Sequence, residues 1–300
     1  MKIAIIGLGK MGSQIASKLH NAGQTVIVYD RNADTIDEMK KLGMIGSSTK
    51  EEVISAFLDD QVIVWFMIPS EIIDNELSIW LKLIPNGSIL IDGGNSKWTD
   101  TKRRAEVVSN NGSALIDVGT SGGIWGYQNG FSMMVGGDKN SFNIIKPILD
   151  ILEKPSGKYE YFGESGSGHY VKMIHNAIEY GMMESFAEGY RLLKEGPYRN
   201  LDLVKAGNVW QHHSVITSWL NELTMNIISN NPNQDGVSGV VKESGETRWA
   251  LEVAKEYNIE TSVISAAFDV RLDSQKGKVN FATKILSSMR NAFGGHKINE

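Results

Sequence analysis

Six residues near the start, Gly7-Leu8-Gly9-Lys10-Met11-Gly12, constrain this chain more than any other feature. They follow the apolar run Ile3–Ile6 and open a helical pattern. In a strand–turn–helix unit the first glycine permits the tight turn, and the second lets a pyrophosphate approach the backbone. The third lets helix and strand pack closely. Free N–H groups at the helix start then face the phosphates. Asp30 ends the next apolar run, 18 residues after Gly12. An acid there hydrogen-bonds the adenosine ribose and repels a 2′-phosphate, which points to NAD. Arg31 beside it keeps NADP open, because a guanidinium accepts that phosphate.

The pattern around this turn predicts an α/β fold, a doubly wound Rossmann-type sheet, followed by an all-helical domain. Strands are expected at Ile3–Ile6, Thr25–Tyr29, Val62–Met67, Ser88–Ile91, Ala114–Val118 and Ser132–Val135. Helices are expected between them at Gln14–Asn21, Thr35–Leu42, Lys50–Leu58, Ile72–Leu83 and Thr99–Asn110. Ser48 with Glu51, or Thr49 with Glu52, offers a capping box. After about Gly163 the strands stop. The division expected is a dinucleotide-binding domain over 1–163 and a substrate and oligomerisation domain over 164–300. A long helix near 168–195 would span ~40 Å. Further helices are expected at Leu201–Val209, Ser214–Ile228, Thr247–Tyr257, Thr261–Ser274 and Lys278–Asn291.

Composition narrows the function classes. Hydrophobic residues make up 41% of the 300, enough for a sizeable core. Thirty Lys and Arg against 35 Asp and Glu give a net charge of -5, which offers no reason to expect a nucleic-acid partner. The absence of cysteine removes disulfides, thiolate metal sites and a cysteine nucleophile. The opening apolar run is too short for a signal peptide, and no stretch approaches ~18 apolar residues. A cytoplasmic protein with no membrane contact is expected.

Lys172, His175, Asn176 and Glu179 stand at i, i+3, i+4 and i+7, on one face of the long helix, with Tyr180 at its border. A strip of this kind alone reads as a solvated surface. Here its flanks are apolar (Val171, Met173, Ile174, Ile178, Met182 and Met183), so the strip is expected to face a filled cleft. His212-His213 is read as structural: neighbours on a helix point apart, no third ligand is near, and no metal is expected.

Three stretches carry a resemblance. Residues 168–181, reading Gly-His-Tyr-Val-Lys-Met-Ile-His-Asn-Ala-Ile-Glu-Tyr-Gly, resemble the catalytic helix of the decarboxylating 6-phosphogluconate dehydrogenases. Ile91-Asp92-Gly93-Gly94-Asn95-Ser96 resembles the family's loop between nicotinamide and substrate. Gly119-Thr120-Ser121-Gly122-Gly123 resembles its substrate-carboxylate loop, with Met133-Met134-Val135-Gly136-Gly137 following at family spacing. The likeness runs the length of the chain and is to a short-chain branch with a single helical unit.

The resemblance implies roles. Lys172 is the base that takes the hydroxyl proton and, once protonated, stabilises the enolate left by decarboxylation. It can serve only if partly neutral. Glu179 then protonates carbon. Gly7, Leu8, Gly9, Lys10, Met11, Gly12, Asp30, Arg31, Met67 and Asn95 would hold the nucleotide. Asn95, Ser121, Gly122, Gly123, His175 and Asn176 would hold the sugar acid, and Tyr180 and Arg271 its phosphate. Arg290 and His296 would reach the substrate of a neighbouring subunit in a homo-oligomer, a dimer or tetramer. The family's longer members carry Lys-Gly-Thr-Gly-x-Trp on the phosphate side, where this chain reads Ser244-Gly245-Glu246-Thr247-Arg248-Trp249. The Lys is missing, and Glu246 has the wrong sign for a phosphate contact. Two other readings stay open: a β-hydroxyacid dehydrogenase resembling 3-hydroxyisobutyrate dehydrogenase, and a catalytically silent nucleotide sensor.

Overall fold

The computed structural model describes residues 1–298. The chain forms two compact units, one over Met1–Met173 and one from Ile174 onward. The first holds an eight-stranded sheet: β1 (Lys2–Ile6), β2 (Thr25–Tyr29), β3 (Ile45–Gly46), β4 (Ile63–Phe66), β5 (Ile89–Asp92), β6 (Ala114–Ser121), β7 (Ser132–Gly137) and β8 (Lys158–Gly163). Strand order is β3-β2-β1-β4-β5-β6-β7-β8. The order reverses between β1 and β4, and in open α/β sheets ligands bind where it does, outside the strands' carboxyl ends. All neighbours are parallel except β6 and β7, which run antiparallel.

The helices of this unit are α1 (Lys10–Asn21), α2 (Ala33–Lys41), α3 (Lys50–Ser55), α4 (Ser70–Trp80), α5 (Trp98–Asn110), α6 (Gly126–Asn129) and α7 (Lys139–Leu152). Both faces of the sheet are covered. On β1, Ile3 and Ile5 enter one apolar layer with Ile15 and Leu19. Ala4 and Ile6 enter the opposite layer with Phe66 and Trp80. That alternation follows from the two-residue period of a strand. The cap of α3 is Thr49, which accepts from Glu52 N–H at 3.1 Å; the Glu52 carboxylate accepts from Ser48 N–H rather than from that of Thr49.

Helix α8 (Ser167–Glu195) begins in the first unit and continues into the second. The second unit then adds α9 (Leu203–Gln211), α10 (Trp219–Asn230), α11 (Glu246–Glu256), α12 (Ser262–Gln275) and α13 (Phe281–Gly294). Met183, Ala187, Tyr190, Ile285, Leu286 and Met289 form its core. Three of the departures from expectation have local reasons. Helix α10 starts at Trp219 because Ser218 caps it, accepting from Asn221 N–H. The His212-His213 pair is not on a helix: His212 caps the end of α9 and His213 has φ +58°. Helix α13 runs to Gly294 and stops at the left-handed Gly295. Among the described residues, no helix is long and apolar enough to cross a membrane.

Candidate active site

The glycine turn after β1 is held by sterics that only glycine meets. Gly7 has φ +91°, and a Cβ there would lie 2.6 Å from Met67 O. A Cβ on Gly12 would lie 1.9 Å from Gly7 O, so α1 packs directly on the turn. Around Gly9 the reverse holds: an added Cβ would meet nothing within 4 Å. Gly9 is the N-cap of α1 and, having no side chain, makes no cap hydrogen bond itself. An open space at the N-terminus of a helix fits a bound pyrophosphate. Asp30 spans the turn, accepting from Leu8 N–H at 2.6 Å and Asn32 N–H at 2.9 Å. Met67 borders the turn, Met11 packs on the core, and Lys10 and Arg31 are exposed.

The loop after β5 is anchored from beneath. Asp92, 1% exposed, accepts from Ser96 Oγ at 2.7 Å and Gly94 N–H at 3.2 Å. Arg104, 3% exposed, donates to Ser96 Oγ at 3.0 Å and lies 3.6 Å from Asp92. It also makes a two-point pair with Asp74 at 3.1 Å each and donates to Ser70 O at 3.2 Å. Arg104, then Arg103, hold the Asp74 carboxyl down at about 2. Asn95 sits exposed on this fixed loop.

The start of α8 is tied to β6. Asp117, fully buried, accepts from Gly166 N–H at 2.8 Å and His169 N–H at 2.9 Å. Gly168 packs so closely that a Cβ would lie 2.4 Å from Met134 O. Lys172, 6% exposed, rests against Gly119, where a Cβ would lie 2.3 Å from its own Cβ. Gly119 is therefore what admits the lysine stem to the sheet. Ser121 ends β6, and Gly122 (φ +135°) and Gly123 (φ +51°) turn the chain away in conformations that favour glycine.

In the second unit His175, Asn176, Glu179, Tyr180, Arg271 and Arg290 come together. Arg271, 1% exposed, stacks on the Tyr180 ring with its Cζ 3.2 Å from the centroid. Among the described residues its Nη2 donates to Met183 Sδ, at 3.5 Å, and its Nη1 has no partner. Burial pulls this guanidinium down to about 10; Arg290 pulls the same way, and Glu179 and Glu184 oppose. Arg290 is lowered too, by burial, while the charges of Glu179 and Glu246 act against the shift. Both arginines thus belong to the electrostatics of their own chain's cluster. His296 is exposed, and its carbonyl accepts from Asn291 Nδ2 at 2.6 Å. Near the end of the described chain, Ser238 N–H donates to Ile298 O at 3.0 Å.

Several residues that shape these sites are not legible as such in the sequence. Arg104, Asp117 and Asp74 act through contacts distant along the chain. Glu246 is 2% exposed and accepts from Asn176 Nδ2 at 2.9 Å. Among the described residues no group of three or more acidic or histidine side chains is placed to hold a metal.

The chain matches two family descriptions. Residues 2–163 match the NAD binding domain of 6-phosphogluconate dehydrogenase, and residues 168–299 match the C-terminal domain of the same enzyme. It is 38% identical over 296 residues to YqeC of Bacillus subtilis (strain 168), provisionally named a 6-phosphogluconate dehydrogenase, covering 99% of this chain and 98% of that one. It is 32% identical over 300 residues to an NAD(+)-dependent, decarboxylating 6-phosphogluconate dehydrogenase of Haloferax volcanii, covering 99% and 98%. Among solved structures, 6-phosphogluconate dehydrogenase of Plasmodium falciparum superposes with a TM-score of 0.82 at 26% identity, over 98% of this chain and 70% of that one. With both matches falling on an NAD(P)-type sheet and the helical unit that follows it, the chain belongs to the 6-phosphogluconate dehydrogenase family of oxidoreductases.

Proposed function

We propose that the protein oxidatively decarboxylates 6-phosphogluconate to ribulose 5-phosphate and carbon dioxide, with NAD preferred over NADP. The observation that carries the choice of a phosphorylated acid is Arg271: a buried guanidinium with an unpaired Nη1, stacked on Tyr180 and close to the charge of Arg290. A fork of this kind, lacking a carboxylate partner, suits a phosphate and would be a liability in a small-acid enzyme. Residues 1–163 serve as the nucleotide domain and 164–300 as the substrate domain. Gly7 to Gly12, Asp30, Arg31, Met67 and Asn95 hold the dinucleotide, and the Asp30 carboxylate disfavours a 2′-phosphate. When bound, the nicotinamide supplies the hydride acceptor.

Lys172 takes the proton of the substrate hydroxyl as oxidation makes a β-keto acid. The same ammonium then donates a hydrogen bond to the keto oxygen while the carboxylate leaves as carbon dioxide, so the electron pair settles as an enolate. Glu179 delivers a proton to carbon to complete the ketone. Asn95, Ser121, Gly122, Gly123, His175 and Asn176 orient the acid, and Tyr180, Arg271 and Arg290 its phosphate, with His296 as a further substrate contact.

The test is a panel of 6-phosphogluconate, gluconate and 3-hydroxyisobutyrate, each with NAD and NADP, read at the reduced-nicotinamide absorbance. Oxidation of 6-phosphogluconate with carbon dioxide release and an NAD preference is expected. Lys172→Met and Glu179→Gln should each lower turnover by ~10²–10⁴-fold while nucleotide binding persists. A higher rate on 3-hydroxyisobutyrate, or none on any acid, overturns the proposal.

We also propose that the chain works as a homo-oligomer. The support is a groove of about 550 Å³ in the helical unit, lined by Ile178, Met182, Trp210, Val215, Ile216 and Val263. Of these, Ile178, Met182 and Val263 are exposed by 52%, 42% and 69%, an apolar face that a second copy would cover. Sedimentation velocity at micromolar protein should give a dimer or larger; a monomer there refutes it.

A further inference from the structure

Glu246 is the residue that the family comparison leaves unexplained. It stands where the longer relatives' motif carries a threonine, and it is a carboxylate buried to 2% exposure. Burying an ionised carboxylate is costly unless something compensates. Part of the compensation is local, because Glu246 is the first residue of α11, where helix amides favour negative charge. Part comes from Arg290, whose guanidinium feels the Glu246 charge. The rest is a directed hydrogen bond: Oε1 accepts from Asn176 Nδ2 at 2.9 Å, while Oε2 has no partner among the described residues. An apolar or hydroxyl side chain would fill this position at lower cost, so the carboxylate calls for a role.

The bond has a chemical consequence one residue further on. A carboxylate has no proton to give, so the Asn176 group facing Oε1 must be its NH2. The Asn176 carbonyl oxygen therefore lies on the other side, 2.9 Å from His175 Nδ1. An amide oxygen only accepts, so His175 Nδ1 must carry the proton. In the neutral ring Nε2 is then the acceptor nitrogen. His175 Nδ1 is also 3.9 Å from Glu179 Oε2, so the same N–H lies beside the proposed proton donor.

We propose that Glu246 is a positioning residue: through the Asn176 amide it fixes the tautomer and orientation of the His175 imidazole. The ring is thereby limited to accepting from a substrate hydroxyl through Nε2 and cannot donate from that nitrogen while neutral. The proposal rests on the reading of His175 and Asn176 as substrate contacts, but its physical core does not need turnover to be measured.

The experiment is a ¹⁵N–¹H correlation spectrum of the imidazoles in histidine-labelled full-length protein at pH 8, with the His175 signals assigned by their loss in His175→Gln. The wild type should show the Nδ1–H form. Glu246→Gln keeps an acceptor facing Asn176 and should keep that form. Glu246→Ala and Asn176→Ala break the chain at successive links, and both should move the ring toward Nε2–H. In kinetics, Glu246→Ala should raise KM for the sugar acid roughly tenfold with KM for NAD unchanged, the size expected for one well-placed hydrogen bond. Glu246→Gln should restore most of it. An Nε2–H ring in the wild type overturns the proposal without any variant, and so does an unchanged ring in both alanine variants. If the substrate panel shows no activity, the functional reading falls, while the spectra still decide the role of Glu246.

Discussion

Arg104 in the sheet unit and Arg271 in the helical unit are buried to the same degree, at 3% and 1% exposure, yet their surroundings are opposite. Arg104 meets Asp74 at two points, Ser96 Oγ, Ser70 O and the nearby Asp92. Its fork is filled by the protein. Arg271 has a tyrosine face, a thioether sulfur and an unpaired Nη1, and among the described residues no carboxylate pairs with it. A guanidinium whose donors are all answered holds the fold together. One left with an unanswered donor is open to a ligand, and the proposed substrate phosphate would answer it.

Arg104→Met should break the first half of this comparison most visibly. It strips the cation from buried Asp92 and half-exposed Asp74, and a loss of about 3 kcal/mol or more is expected in urea unfolding. Arg271→Met removes an unpaired buried charge and should leave unfolding within about 1 kcal/mol of wild type. It should, however, weaken binding of the phosphorylated acid by roughly 100-fold, the loss of a charge-assisted fork. Equal destabilisation by the two substitutions would erase the distinction.

A smaller effect sharpens the second half. Burial, then the charge of Glu188, raises the Glu184 carboxyl to about 7, with Arg271 acting against the shift. A carboxyl with a raised folded pKa keeps a proton that the unfolded chain releases, so stability falls as pH rises from about 4.5 to 7. Glu184→Gln removes that loss. Ionisation costs about 3 kcal/mol at pH 8, and an unpaired buried amide offsets about 1 kcal/mol of the gain. The variant should therefore be about 2 kcal/mol more stable at pH 8 and no more stable near pH 4.5. A pH-independent difference would show that Glu184 does not titrate in the fold.

How far this could be read beforehand depended on whether the cause was local. The six strands foreseen all form, because apolar runs between turn residues report burial on both faces of a sheet. Strand β3 has two residues, too few for any period to show. Strand β8 alternates exposed and half-buried positions at a sheet edge, so it lacks the continuous apolar run of its neighbours. Helix α7 carries Pro147 in its interior, which breaks a helical reading although six of its side chains are buried. The direction of β7 is set by its pairing with β6, which no window of sequence contains. The site divides the same way. The glycine turn and the Lys172–Glu179 face lie within short stretches. The Asp117 cap, the Arg104 anchor and the Glu246–Asn176 bond join residues 30 to 70 positions apart.

The Asp117 cap also bears on the order of assembly. Its two hydrogen bonds close loops of 49 and 52 residues, and closing such loops costs entropy before any contact repays it. A free segment carrying residues 167–173 can wind into helix within about a microsecond, but it has no register on the sheet until β6 is in place. Since Gly119, against which Lys172 rests, lies on that same strand, one late docking event seats both the helix start and the lysine stem. Chains stalled before residue 167 is synthesised would thus carry a folded glycine turn and a β6 with no helix docked on it, separating in time the two seats that the proposed reaction would use together.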